Sequence, residues 1–308
     1  MAPVKKLKVA QGESTSSSSE STKEEKIYTK TVNTGREKKS LSLVKHSPSH
    51  NLFDYPQVVY GERKIGKTSL VSMYGSEKKD SPIYAFMFEE NRSYELFMTE
   101  VTEWQDFLDV VPEFLSGKHN FKACWLDNVR NAYDMALAHA CKKFGFEHPG
   151  RQNDHGDSWN KVYLEFCSPV RQLLSSKYAM MVTCHEAEKE IETRSGRKFL
   201  KMSPDLTNQA SRLITGELYN VFYYHYVGNE RFLQIQGDEY ITAGHRMEGH
   251  FLTIEGETVF KIPMGKSKEE AYENLMRAFN NQQKETFKDA VEPKVGEHLK
   301  KKKVEKDK

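Results

Sequence analysis

The 308-residue sequence has little of what several classes of protein require. No stretch approaches the ~18 consecutive apolar residues of a membrane-spanning helix, and the first residues carry charge and serine where a secretory signal needs an apolar run. These absences predict an intracellular, cytoplasmic protein with no membrane partner. The four cysteines, Cys124, Cys141, Cys167 and Cys184, have no CxxC spacing, and Cys124 and Cys184 stand in apolar runs, which predicts reduced, packed thiols. Cys141 with His148 and His155 fits no usual zinc-ligand spacing. An excess of one charge is also lacking: 46 Lys and Arg against 44 Asp and Glu leave a net charge of +2, so the whole-chain balance gives no argument for a polyanionic partner. Large apolar side chains are scarce at both ends. Residues 1–48, with "ESTSSSSESTKEEK", and the basic residues 291–308 hold too few of them to offset the entropy of ordering, and both are predicted to be disordered tails. Residues 50–265 remain as one globular domain, followed by a helical segment over 266–290.

What is present begins at "VVYGERKIGKTSLVSM". Gly61, four residues, Gly66, Lys67 and Thr68 fit the phosphate-binding pattern G-x-x-x-x-G-K-[ST] without a mismatch. A chance match in a chain of this length has a probability on the order of 1%. The context supports it, because the Val- and Tyr-rich run before Gly61 reads as a buried strand and "KTSLVSMY" as a helix. In such a loop the backbone of Gly61, Glu62, Arg63, Lys64, Ile65 and Gly66 wraps the phosphates together with Lys67, Thr68 and Ser69. Lys67 reaches the β- and γ-phosphates, and the Thr68 hydroxyl holds Mg²⁺.

Three more apolar runs end in polar groups suited to nucleotide chemistry. "FKACWLDNV" ends at Asp127, the candidate for the second metal-side carboxylate. "PIYAFMFEEN" ends at Glu89 and Glu90, either of which could take a proton from an attacking water; Glu90 is the first choice and Glu89 the alternative. "KYAMMVTCHEAE" ends at Thr183, Cys184 and His185, and His185 has the reach to sense a γ-phosphate or simply to cap the strand. "RLITGELYNVFYYHYV" and "RFLQIQG" read as two further strands joined by "GNE". With helical patterns at "NAYDMALAHACKKF" and "WNKVYLEFCSPVRQLL", the alternation predicts an α/β domain whose mostly parallel central sheet is flanked by helices. Ligands of such sheets bind at the carboxyl ends of the strands, where these residues fall.

Guanine-specific switches carry N-K-x-D and D-x-x-G motifs, and neither occurs here, so ATP is favoured over GTP. A small-molecule kinase would carry an arginine-rich lid, and "FEHPGRQNDHGDSW" has only Arg151. In order, "VVYGERKIGKTSL", "YAFMFEEN", "CWLDNVRNAY", "HGDSWNKVYLEF", "MMVTCHEAEKE" and "LITGELYNVFYYH" resemble the phage-type RecA-like P-loop ATPases, short single-domain proteins related to recombinases and annealing factors. The resemblance runs from about Pro56 to Glu248. It implies a RecA-like core, ATP and Mg²⁺ as ligands, action on single-stranded DNA in recombination, repair or replication, and, for a phage protein, the host cytoplasm. By matching position it gives Lys67 and Thr68 the phosphates and metal, Asp127 the Walker B role, Glu90 the catalytic acid, and His185 the γ-phosphate sensor. Related motors present a basic pair to a neighbour's nucleotide; here Arg246 is kept, but Gly244 stands where a lysine is expected.

"ETRSGRKFLKMSP" supplies the one local DNA candidate, with Arg194, Arg197, Lys198 and Lys201 around Phe199. A mobile basic loop of this kind could follow a phosphate backbone and stack a base; the same residues also suit a solvated hairpin with a buried Phe. Two functions stay open. One is a DNA-stimulated ATPase assembled head to tail into a ring or filament. The other is an ATP-bound adaptor that recruits a single-strand-binding protein, helicase or polymerase.

Overall fold

A computed structural model describes residues 41, 43–45, 47–74 and 83–287. Most of both proposed tails lies outside the described residues. The chain divides into two units, 1–47 and 48–308; in the first, Leu41, Leu43 and Val44 are exposed.

The second unit is built on β1 (Gln57–Gly61), α1 (Lys67–Ser72), β2 (Ile83–Met87), β3 (Phe97–Glu100), α2 (Trp104–Leu115), β4 (Ala123–Asp127), α3 (Val129–Phe144), α4 (Asp157–Leu174), β5 (Ala179–Glu192), β6 (Lys198–Pro204), α5 (Asn208–Glu217), β7 (Asn220–Val227), β8 (Glu230–Gln234), β9 (Gly244–His245), β10 (Lys261–Pro263) and α6 (Lys268–Phe279). The sheet runs β10-β8-β7-β1-β5-β4-β2-β3, with β6 paired to β5 and β9 to β7. From β7 to β3 every neighbouring pair is parallel. At the other edge β8 and β10 are antiparallel.

Every residue of β1 and β4 is buried, as expected for central strands covered on both faces, which read as continuous apolar runs rather than alternating ones. Alternation decides only which cover each side chain meets. Val58, Tyr60, Leu126 and Val182 join a core closed by α2, α3, α4 and α5; Val59, Trp125, Met181 and Phe222 join a second core closed by α1 and α6. The fold is thus a mostly parallel sheet with helices on both faces.

The pairing puts the site's strands in register at one edge. Gly61 is opposite His185, and Met87 is opposite Asp127. Strand β5 lies between β1 and β4, so the phosphate-loop strand and the strand carrying Asp127 are not neighbours. Strand β5 is long: after His185 it leaves the parallel sheet and pairs with β6 as an antiparallel hairpin, from Glu186↔Pro204 to Glu192↔Lys198. One expectation is corrected. "RLITGELYNVFYYHYV" is not a single strand, because its first part belongs to α5, where Thr207 caps the Ala210 amide and Ala210, Leu213 and Ile214 make a buried stripe at helical spacing.

Candidate nucleotide site

The loop between β1 and α1 closes tightly around its own backbone. A Cβ on Gly61 would lie 1.9 Å from the Tyr224 carbonyl oxygen of the adjacent strand, and Gly66 holds φ +113°, which side chains other than hydrogen rarely adopt. Lys67 follows at the first position of α1 and is only 6% exposed. Its Nζ donates to the carbonyls of Gly61 (2.9 Å) and Glu62 (2.5 Å) and lies 3.5 Å from His185 Nδ1. Burial pushes the ammonium below its usual value, and the nearby Asp127 charge opposes that shift.

Asp127 is the structural centre of the neighbouring wall. Its Oδ2 accepts from Thr68 Oγ1 at 3.0 Å and its Oδ1 from Thr183 Oγ1 at 2.5 Å; Thr183 in turn accepts from Trp125 Nε1 at 3.2 Å. Burial raises the carboxyl's pKa, and the two hydroxyl donors work against it. A hydroxyl and a carboxylate held together beside a phosphate-type loop fit a hard cation such as Mg²⁺, whose affinity is for oxygen ligands.

The third wall separates the two adjacent glutamates. Glu89 accepts from Asn128 Nδ2, from Asn131 Nδ2 at 3.3 Å, and lies 3.4 Å from His185 Nε2. The His185 hydrogen bond is the main cause holding Glu89 below the usual carboxylate range, with burial opposing it and the Lys67 and Arg63 charges assisting. Glu90 also borders the cavity, but it makes none of these bonds and pairs instead with Arg92, whose Nε is 2.6 Å from Oε1. The first-choice carboxylate from sequence is therefore outside this hydrogen-bonded cluster and the alternative is inside it. The physical reason is local: β2 ends at Met87, and the two side-chain amides beyond Asp127 reach Glu89. Sequence reasoning missed Asn128 and Asn131. Asn128 is also the helix cap of α3, its Oδ1 accepting from the Asn131 amide at 2.9 Å, and an Asn directly ahead of a helical pattern was the available signal.

These groups surround a cavity of 520 Å³ lined by Arg63, Lys67, Thr68, Glu89, Asp127 and His185, among others. A groove of 980 Å³ lies on the other side of Gly66 and Ser69, bordered by Tyr226, Arg231, Gly265, Lys266 and Asn274.

Two sets of candidates lie elsewhere. Arg246 follows β9, which pairs with Asn220 and Val221 at the start of β7, so it sits at the amino end of the sheet; its Nη2 donates to the Gly216 carbonyl at 2.6 Å. In the β5–β6 hairpin most of the basic groups are already engaged. Arg197 pairs with Glu239 (2.8 Å), Lys198 with Glu190 (3.2 Å) and Glu192 (3.3 Å), and Lys201 donates to the Asp238 carbonyl (3.1 Å). Phe199 packs edge-on against Tyr240 at 5.9 Å, with the Arg197 guanidinium 5.5 Å from its ring centre. Arg194 is exposed at the hairpin turn.

Residues 55–247 match the family described as AAA domain. The chain belongs to that family, and its phosphate-type loop between β1 and α1, with β5 placed between the loop strand and the Asp127 strand, gives a P-loop α/β fold with a mostly parallel sheet. No curated protein matches the chain. Among solved structures, the crystal structure of the RadB recombinase is similar at 11% identity, covering 71% of this chain and 89% of that one with a TM-score of 0.39. Among the described residues no helix is long and apolar enough to cross a membrane.

Proposed function

We propose that the protein binds ATP with Mg²⁺ and hydrolyses it, with Glu89 taking the proton from the attacking water. The observation that carries this reading is the convergence of Lys67, Thr68, Asp127, Glu89 and His185 on one cavity from four different segments of chain. Each group has a defined task. The backbone from Gly61 to Gly66, with Ser69 beyond it, wraps the phosphates, and Lys67 leaves its loop carbonyls for the β- and γ-oxygens. Thr68 and Asp127 would hold Mg²⁺, which supplies charge neutralisation to the phosphates when bound. Glu89, kept ionised by His185, is the proton acceptor, and His185 lies between it and Lys67, close enough to register a terminal phosphate. The nucleoside would extend past Ser69 into the larger groove, which shares Lys64, Gly66 and Ser69 with the smaller cavity.

The finer assignment is a phage-type ATPase acting on single-stranded DNA in recombination, repair or replication, inside the cell and, if phage-encoded, in the host cytoplasm. It is supported by the order of the sequence blocks and by a hairpin that continues the strand carrying His185. Arg194, Arg197, Lys198, Phe199 and Lys201 are the proposed nucleic-acid contacts. A ring or filament would be needed to bring Arg246 near another subunit's nucleotide. The adaptor reading, in which ATP is a structural ligand and the partner is a single-strand-binding protein, helicase or polymerase, is favoured by one observation: Arg197, Lys198 and Lys201 of the hairpin already have acidic or carbonyl partners. ATP turnover measured with and without single-stranded DNA separates the two. Stimulation supports the DNA-dependent enzyme, and ATP binding with negligible turnover in both conditions supports the adaptor.

A further inference from the structure

After β2 the chain forms a loop from Glu89 to Leu96 that contributes one wall of the 520 Å³ cavity. It is fastened at two points. Asn91 Oδ1 accepts from the backbone amides of Ser93 (3.1 Å) and Tyr94 (3.3 Å), and the Tyr94 hydroxyl hydrogen-bonds the Ser69 hydroxyl at 2.6 Å, which ties the loop to the first turn of α1. Arg92 stands within this turn and lines the same cavity as Lys67, Thr68 and Asp127. Its side chain is 82% exposed and rests on Glu90, itself 60% exposed.

An ion pair this open is weak, because water screens both charges and two long side chains must be held in one geometry. A terminal phosphate in the adjoining cavity is a stronger competitor: its oxygens match the planar guanidinium fork, and the charge-assisted hydrogen bonds form in a partly enclosed space. The loop's attachment to Ser69 keeps Arg92 on the wall of the cavity that the phosphate loop also borders.

We propose that Arg92 is a guanidinium this chain supplies to its own site, leaving Glu90 to bind the terminal phosphate of a nucleoside triphosphate, with Glu90 as its resting partner. The inference rests on the nucleotide reading above. It gives the two adjacent glutamates separate work, Glu89 with the water and Glu90 with the arginine. It also supplies the terminal phosphate with a guanidinium from within one copy of the chain, without recourse to Arg246 of another.

The test is equilibrium binding of a fluorescent ADP and of the matching non-hydrolysable triphosphate analogue, both with Mg²⁺, to wild type, Arg92→Ala, Arg92→Lys, Glu90→Gln and Lys67→Ala. Arg92→Ala is expected to weaken the triphosphate by about tenfold while leaving the diphosphate nearly unchanged, with Arg92→Lys in between. Glu90→Gln, which frees the arginine, is expected to bind the triphosphate at least as tightly as wild type. An Arg92→Ala protein with the wild-type ratio of triphosphate to diphosphate affinity overturns the proposal, as does equal loss of both ligands, which would assign Arg92 to the loop's structure. If wild type binds neither nucleotide better than Lys67→Ala does, the nucleotide reading fails, and this inference with it.

Discussion

Glu89 and Glu90 are chemically identical neighbours, and only their surroundings separate them. Glu89 lies among Asn128, Asn131 and His185, while Glu90 shares an exposed pair with Arg92. Glu89→Gln is expected to keep ATP bound and to lose most turnover, whereas Glu90→Gln keeps turnover; phosphate release and nucleotide binding measured on both variants check the assignment. Lys67→Ala is expected to lose both binding and turnover, since its ammonium is the buried cation of the loop. The phosphate loop was fully legible because its chemistry fixes residue types at fixed spacing. The choice between the glutamates was not. Phe86 and Phe88 point into one core and Met87 into the other, so the alternation of β2 can be followed to the strand's end, but beyond it the side-chain direction is set by amides from a different segment.

At the scale of elements, β5 joins the nucleotide site to the hairpin without a break, since His185 pairs with Gly61 and Glu186 already pairs with Pro204. Sequence reading found the apolar half of this strand and stopped at its polar half, where "EAEKEIE" alternates too weakly in hydropathy to mark a strand. The basic residues were legible as a group, but their acidic partners were not, because Glu239 and Asp238 are distant in sequence. If the hairpin follows a phosphate backbone, replacing Arg197 and Lys198 with Ala is expected to reduce the salt dependence of single-strand binding by a slope of about 1.4, at about 0.7 for each phosphate left without its cation. ATP binding should not change. Because both side chains must first leave Glu239, Glu190 and Glu192, a Glu239→Gln variant is expected to bind single strands more tightly than wild type. Fluorescence anisotropy across a salt series reads both effects, and equal slopes for wild type and the double variant would remove the hairpin from the interface.

For the whole molecule, the same sheet that positions the site also buries titratable groups. His225 on β7 is 4% exposed, stacks on Tyr223 at 4.6 Å, and has its Nε2 without a hydrogen-bond partner. Burial, with the nearby Lys261 charge adding to it, pushes its pKa down to about 4 from 6.5. The unfolded chain therefore binds the proton first as pH falls, so this contribution to stability is present above pH 6.5 and is lost on acidification towards pH 4. At full extent it amounts to about 3 kcal/mol. Thermal melting between pH 7 and 4 is expected to fall more steeply for wild type than for His225→Phe, and parallel curves would contradict the assignment. Assembly belongs to this scale as well. With Arg246 at the amino end of the sheet and bonded to the Gly216 carbonyl, Arg246→Ala is expected to leave turnover unchanged at dilutions where the protein is a single copy, which specific activity measured against protein concentration will test.

One cavity at the carboxyl edge of the sheet is proposed to bind and cleave ATP. Phosphate release from ATP with Mg²⁺, measured on wild type, Lys67→Ala and Glu89→Gln beside ATP binding by the same three proteins, tests it most directly. Binding and turnover are expected in wild type, neither in Lys67→Ala, and binding without turnover in Glu89→Gln. Turnover by Lys67→Ala or Glu89→Gln at the wild-type rate, or a wild type that does not bind ATP, would contradict it.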